Sequence, residues 1–300
     1  MFKRKKVLFD SDVWMGMSGQ DLQKIKDYQS RLIITNEYIF FDSAVNLFET
    51  VYTLKEIKKD PKRIPIVLKK VIDIAGKNMF PDTKTIVDRE INKYFGRRTD
   101  DERLKCVNQG YRMIRDKLIN QAGWVDSDEF KKIFAGAYYS VIDGWRNAVN
   151  KMQEGVRNDG FPKEVNQKNR NDLLDKILNE DKLKHGLFKA FKDRLKISDS
   201  DYLTLSINNG WLKIESLKCF YIWHRAIVRR YLLEGRDPFA EKNHGDFIDL
   251  EFSYYIPYAD VFVSNNTKDL KRVKEQCEKM EELDISNRLK TFSEFMEEIN

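Results

Sequence analysis

The sequence predicts an α/β fold with a central parallel sheet, interrupted by a large all-helical insertion. Three observations lead there. Two apolar runs, Lys6-Val7-Leu8-Phe9-Asp10 and Asp260-Val261-Phe262-Val263-Ser264, stand near opposite ends of the 300-residue chain. Each has three consecutive apolar residues and ends on a polar one, as a buried parallel strand does when its carboxyl end opens on a site. Between them the pattern is helical. Strand-bearing ends this short make poor separate cores, so they are expected to share one sheet. That gives a discontinuous domain of residues 1–59 plus 236–300, with residues 60–235 as the insertion.

In chain order, the first run is followed by a loop and by Gln20 to Arg31, which is rich in good helix formers. Tyr38-Ile39-Phe40-Phe41 is β-prone, and Asp42-Ser43 offers an N-cap for the next helix. On that helix Val45, Phe48 and Tyr52 follow i, i+3, i+7 spacing, with Leu47, Val51 and Leu54 widening the apolar face. In the insertion, helices are expected over Ile66 to Ala75, Thr85 to Phe95, Asp101 to Asn120, Ser127 to Gln153, Asn171 to Lys184 and Cys219 to Leu233. Breaks fall at Gly76, Gly96, Gly123, the 155–160 stretch and Gly210. Asp246 to Tyr254 then reads as a helix broken by Pro257. Lys268 to Leu283 is a charged amphipathic helix, and Arg288 to Phe292 a last strand before a terminal helix.

No run approaches the roughly 18–20 apolar residues of a membrane span. The basic start is followed by only Val7, Leu8 and Phe9 before Asp10, too short for a signal-peptide core. Cys106, Cys219 and Cys277 are odd in number and widely spaced, which fits buried, reduced thiols and neither a disulfide framework nor a zinc site. A cytoplasmic protein with no membrane partner is the expectation. The net charge of +6 is unevenly spread: residues 60–234 hold 35 Lys+Arg against 25 Asp+Glu, while the flanks are net acidic. A basic middle between acidic ends suits a chain that holds a polyanion over a metal-binding pocket.

Chemistry is sought among carboxylates. The histidines, His185, His224 and His244, show no metal-ligand spacing, and no Walker loop, nucleophile elbow or dinucleotide fingerprint is present. Asp10 closes a strand and Asp12 follows two residues later. Glu49 sits on an otherwise apolar helix face, and Asp246 and Asp249 share one helical face at i, i+3. Acids at successive element ends of one α/β unit supply the hard oxygen ligands that Mg²⁺ or Mn²⁺ requires. Such ions activate water and stabilise displacement at a phosphodiester.

Val-Leu-Phe-Asp10-Ser-Asp12-Val-Trp14 resembles the opening strand of PIN-domain nucleases. Asp42-Ser43-Ala-Val45-Asn-Leu-Phe-Glu49 resembles their second motif, and Gly245-Asp246-Phe-Ile-Asp249 with Asp260-Val-Phe-Val-Ser264 their third and the strand after it. Lys290-Thr291-Phe292-Ser-Glu294-Phe295 is similar to the family's closing segment. The likeness covers residues 5–59 and 236–300. It implies a PIN-like three-layer domain and a Mg²⁺- or Mn²⁺-dependent endoribonuclease. The catalytic acids would be Asp10, Glu49, Asp246 and Asp249, and the metal would be held by Asp10, Glu49, Asp249 and Asn266. One position departs from the pattern: after Val-Phe-Val-Ser264 the family places an aspartate, and this chain has Asn265-Asn266.

Two other readings stay open. Asp10-Ser-Asp12 also resembles the first motif of haloacid-dehalogenase-like phosphotransferases, with Thr35 as a phosphate-binding residue, although a late Asp pair after a strand is missing. A catalytically degenerate PIN scaffold that binds RNA or a protein partner through the insertion is the third, with Asn266 in its favour. For RNA, Arg225, Arg229 and Arg230 are the candidate phosphate contacts, among Tyr221, Trp223 and Tyr231. The spacing of Trp223, Ala226, Ile227 and Arg230 also fits a buried apolar stripe with a basic edge.

Overall fold

The computed structural model describes residues 4–31, 37–99, 101–121, 123–158, 172, 174–176, 181–234, 237, 239–240 and 243–300. It is an α/β protein with one four-stranded, wholly parallel sheet of order β2-β1-β3-β4: β1 Lys5–Phe9, β2 Tyr38–Phe41, β3 Val261–Ser264 and β4 Leu289–Thr291. The two sequence-distant apolar runs are neighbours, with Val7 opposite Val261 and Phe9 opposite Val263. β3 is buried along its whole length and β1 over its last three residues, whereas β2 alternates and β4 is covered only at its first residue. That is the burial expected for two central strands flanked by two edges. The core gathers on Phe9, whose ring lies 5.0 Å from Trp14, 5.4 Å from Phe40 and 5.2 Å from Phe295.

The chain forms two compact units. The first comprises residues 1–83, 100–140 and 255–300; the second comprises 84–99 and 141–254. These bounds differ from a division at residues 59 and 235, for a physical reason in the backbone. After helices α1 (Ser11–Gly16), α2 (Gly19–Ser30), α3 (Ala44–Tyr52) and α4 (Ile64–Ala75), the chain returns to the end of β2. There Asp42 bonds Asn78 O and Phe80 N through its backbone, and Asn78 Nδ2 donates to Phe40 O. Gly76 permits that return: it closes α4 at φ +59°, a conformation that costs a residue with a side chain more. Helix Asp101–Asn120 is tied in by Arg115, which donates to Asp42 Oδ2 at 3.3 Å and to Gly76 O at 3.1 Å. Both partners of that ion pair are almost wholly buried, at 4% and 1% side-chain exposure.

The second unit is helical among its described residues. Trp145, Phe191, Phe220 and Tyr254 form its aromatic core. Glu251 accepts from Trp145 Nε1 and Arg194 there. Helix Glu215–Glu234 runs longer at both ends than its apolar pattern implied. The stretch 127–153 is broken by a π-helical segment, Ala135–Tyr139, between helices Asp128–Phe134 and Ser140–Asn158. Among the helices that went unread in the sequence are α1, six residues long and capped by Asp10, Asp199–Ser206, which has almost no apolar face, and Leu283–Arg288, while Asp181–Leu195 was read only over its first residues. The 155–160 break and the segment 171–184 lie partly outside the described residues, as does Thr35 entirely. Cys219 and Cys277 are buried and form no disulfide among the described residues. No helix among the described residues is long and apolar enough to cross a membrane.

Arg115→Ala leaves Asp42 charged and buried without its partner, which costs about 3–5 kcal/mol. Replacing both partners at once, Asp42→Asn with Arg115→Met, is expected to cost markedly less than the single change. Chemical denaturation of the two variants checks both values.

Candidate functional site

β1 runs to its first in-sequence neighbour, β2, on one side, and to β3 on the other. The strand order therefore reverses between β1 and β3, and open parallel sheets bind ligands outside the carboxyl ends at such a switch point. Asp10 stands there. It follows β1 directly and caps α1 with extended backbone, its Oδ1 accepting the Ser11 N–H at 2.7 Å. Its own N–H donates to Val263 O at 2.8 Å, which fixes it against β3.

Asp12 lies in the first turn of α1 and reaches across to the end of β3. It accepts from Asn265 N at 3.2 Å and from Ser264 Oγ at 3.4 Å, while Asn265 Nδ2 donates back to Asp12 O at 3.2 Å. Glu49 comes from α3. That helix is capped by the Ser43 side chain, which accepts the Asn46 N–H, and its apolar face is buried. Asn46, one turn before Glu49, sends its amide to Phe9 O at 3.0 Å and to Asp42 Oδ1 at 3.2 Å. This bond sets α3 against the last residue of β1, the one before Asp10. Glu49 Oε2 is buried and makes no hydrogen bond among the described residues.

Burial raises the proton affinity of all three acids, and neighbouring negative charge adds to it at Asp10 and Glu49. Burial and then the Asp12 and Glu49 charges push the Asp10 carboxyl well above the usual carboxylate range. Asp12 is raised chiefly by burial, against the hydrogen bonds from Asn265 and Ser264. Burial, partly offset by Ser11, lifts Glu49 to about 8, with the Asp12 charge adding to it. Buried acids elsewhere have cations: Arg115 for Asp42, Arg230 for Asp246 and Arg194 for Glu251. Asp10, Asp12 and Glu49 have no Lys or Arg ion pair among the described residues.

Asp246, Asn266 and the three arginines are engaged by other partners. Asp246 and Asp249 stand one turn apart on helix His244–Ser253 of the second unit, and Asp246 accepts from Arg230 Nη1 at 2.6 Å. Asn266 is exposed and caps helix Thr267–Lys279: its Oδ1 accepts the Asp269 N–H at 3.3 Å and its amide donates to the Asp269 carboxylate. The amide that was to take the place of an acidic ligand is thus engaged in holding a helix end. The three arginines proposed for phosphate contact are inward: Arg225 is 2% exposed, Arg225 and Arg229 both pair with Asp175, and Arg230 pairs with Asp246. They form the basic edge of a buried stripe. Of the histidines, His224 is buried and pushed down to about 4 by that burial and by Arg225, a structural neutral imidazole.

Compared with protein-family models, characterised proteins and solved structures, the chain matches none. The chemistry of the site therefore rests on its own residues. Asn46 and Ser264 were not read as site residues from sequence. Ser264 had a signal, being the polar end of a buried strand; Asn46 had none, since its partners are a backbone oxygen of β1 and the side chain of Asp42, just past β2.

The raised carboxyls make stability depend on pH in a defined direction. Between the ordinary Glu value of 4.5 and about 8 the folded chain retains a proton at Glu49 that the unfolded chain has lost. Stability is therefore undiminished by this group below that window and falls as pH rises through it. Glu49→Gln is expected to remove the loss, stabilising the protein at pH 8.5 by about 1–3 kcal/mol, and to change little at pH 4.5. Urea titrations of both proteins at the two pH values check it.

Proposed function

We propose that this protein is a divalent-metal-dependent nuclease of PIN-like type that hydrolyses phosphodiester bonds in RNA. One observation carries the reading: three carboxylates, none ion-paired to a Lys or Arg among the described residues, meet at the switch point of a parallel sheet, and one has a buried oxygen with no hydrogen bond among those residues. Carboxylates this close and desolvated favour either protons or a cation. The donor set is hard oxygen only, which fits Mg²⁺ or Mn²⁺ and not a thiolate- or imidazole-seeking metal. Asp10 and Glu49 would hold the ion. When bound, it supplies positive charge that neutralises the pocket and polarises a phosphoryl oxygen.

The chain's own groups do the rest. Asp12, tethered by Ser264 Oγ and the Asn265 N–H, keeps a third negative charge fixed beside the pair. Asn46 keeps α3 in register with β1, so that Glu49 stays with Asp10. The same tether on Asp12 weighs against a phosphotransferase that would need it as a freely turning acid and base.

Two measurements test the proposal. Mn²⁺ at a hundredfold its dissociation constant is expected to stabilise the protein by about 2.7 kcal/mol, and this gain should vanish in Asp10→Asn. Single-stranded RNA is expected to be cut with Mg²⁺ or Mn²⁺, and the same substitution should abolish cutting. Undiminished cleavage by Asp10→Asn overturns the assignment, and a phosphate trapped covalently on Asp10 replaces it with phosphotransfer. Mn²⁺ binding with no cleavage leaves a binding scaffold.

A further inference from the structure

The first unit also contains a cavity of about 210 Å³ at the carboxyl end of α3 and its continuation. Tyr52, Phe130, Phe134 and Tyr139 supply aromatic walls, and Glu56 and Lys131 stand at its polar edge. Two π-helical segments, Thr53–Ile57 and Ala135–Tyr139, bring Glu56 and Tyr139 to it. Segments of this kind are well under 1% of residues in proteins and are concentrated at functional sites. Here two of them face one cavity.

We propose that this cavity binds the base of a nucleotide, and so gives the nuclease a base-reading subsite. The ligand class rests on the nuclease reading, and the cavity's chemistry narrows it. Its volume is below the roughly 300–1,000 Å³ of sites that enclose drug-sized ligands. One ring system fits, with sugar and phosphate left outside. Tyr139 is 36% exposed, and its ring is held by edge-on contacts with Tyr52 and Phe134 at 6.0 and 5.4 Å. A fixed, half-open aromatic ring is the stacking platform that single-stranded nucleic acids use.

The edge groups then set the preference. Glu56 accepts hydrogen bonds and donates none when ionised, so it selects bases that carry an exocyclic amino group, cytosine and adenine over uracil. Lys131 is the cation available for a phosphate: its own acid, Asp128, lies 3.6 Å away with both side chains largely exposed. Lys55, also in the lining, is engaged by Asp126 at 2.8 Å and by Val125 O at 2.9 Å, and serves to hold the wall in place.

The test uses the whole protein without divalent ions, titrated with CMP, AMP, UMP, cytidine, inorganic phosphate and indole by NMR or calorimetry. CMP and AMP should bind saturably and more tightly than UMP. Tyr139→Ala should weaken CMP about tenfold or more, while Tyr139→Phe, which keeps the ring, should bind as the wild type does. Glu56→Gln should erase the preference over UMP, and Lys131→Gln should weaken CMP but not cytidine. The same competition with a short cytidine-rich RNA shows whether a chain or a free nucleotide is the better ligand. No saturable nucleotide binding, equal binding by Tyr139→Ala, or indole binding as tightly as CMP overturns the proposal. CMP binding in a protein that cuts no RNA leaves the subsite standing and removes the nuclease. Cleavage without CMP binding does the reverse.

Discussion

The parallel pairing of β1 with β3 joins residues more than 250 positions apart, and the rest of the first unit is arranged around it. Lys6 N–H donates to Asp260 Oδ2 at 2.7 Å, and Asp10 N–H to Val263 O at 2.8 Å, so both ends of the pairing are pinned. The entropic cost of closing so long a loop grows only with the logarithm of its length. The buried residues of β1 and β3, with an aromatic cluster on Phe9, offset it readily. Everything between the strands is thereby free to be long, provided it leaves and returns at the sheet.

The same pairing creates the electrostatic problem at its carboxyl end. Asp10 cannot leave, because it caps α1 and is fixed to β3. Asp12 is bound to the β3 end, and Glu49 is carried in on a helix that Asn46 ties to β1. Elsewhere Asp42, Asp246 and Glu251 each have an arginine. At the switch point no such pair is present among the described residues, and the carboxyls shift toward the protonated form instead. A fold optimised for stability alone would gain by replacing one of them with an amide. Buried acids without a cation among the described residues are strain of the kind found at functional sites in other proteins.

The segments between residues 60 and 140 divide between two roles that charge counting merged. Part of them completes the sheet unit: the 76–80 return lies along β2, and Arg115 neutralises Asp42 there. The basic surplus of the middle of the chain is spent in part on internal pairs. Arg97 with Asp201, Arg194 with Glu251, and Arg225 and Arg229 with Asp175 are examples. A surplus of positive charge in a sequence is thus no measure of positive surface.

The sequence by itself determined the strands, the parallel α/β class and the identity of Asp10 and Glu49 as acids out of place. An apolar run closed by a carboxylate, or a carboxylate on an apolar helix face, is a local contradiction visible without coordinates. It also determined the Ser43 cap and most long helices, whose periodicity is local. Tertiary structure decided what those residues face. Asn266 turned to its own helix end because an exposed N-cap amide is nearer to the Asp269 N–H than to anything else it could bind. Arg225 and Arg229, i and i+4 on one helix face, turned to the Asp175 packed against it, and Arg230, on the neighbouring face, turned to Asp246. Asn46 became the link between α3 and β1 through a backbone carbonyl 37 residues away. No pattern of residue types encodes such a bond, because its acceptor belongs to the peptide unit, which is the same at every position.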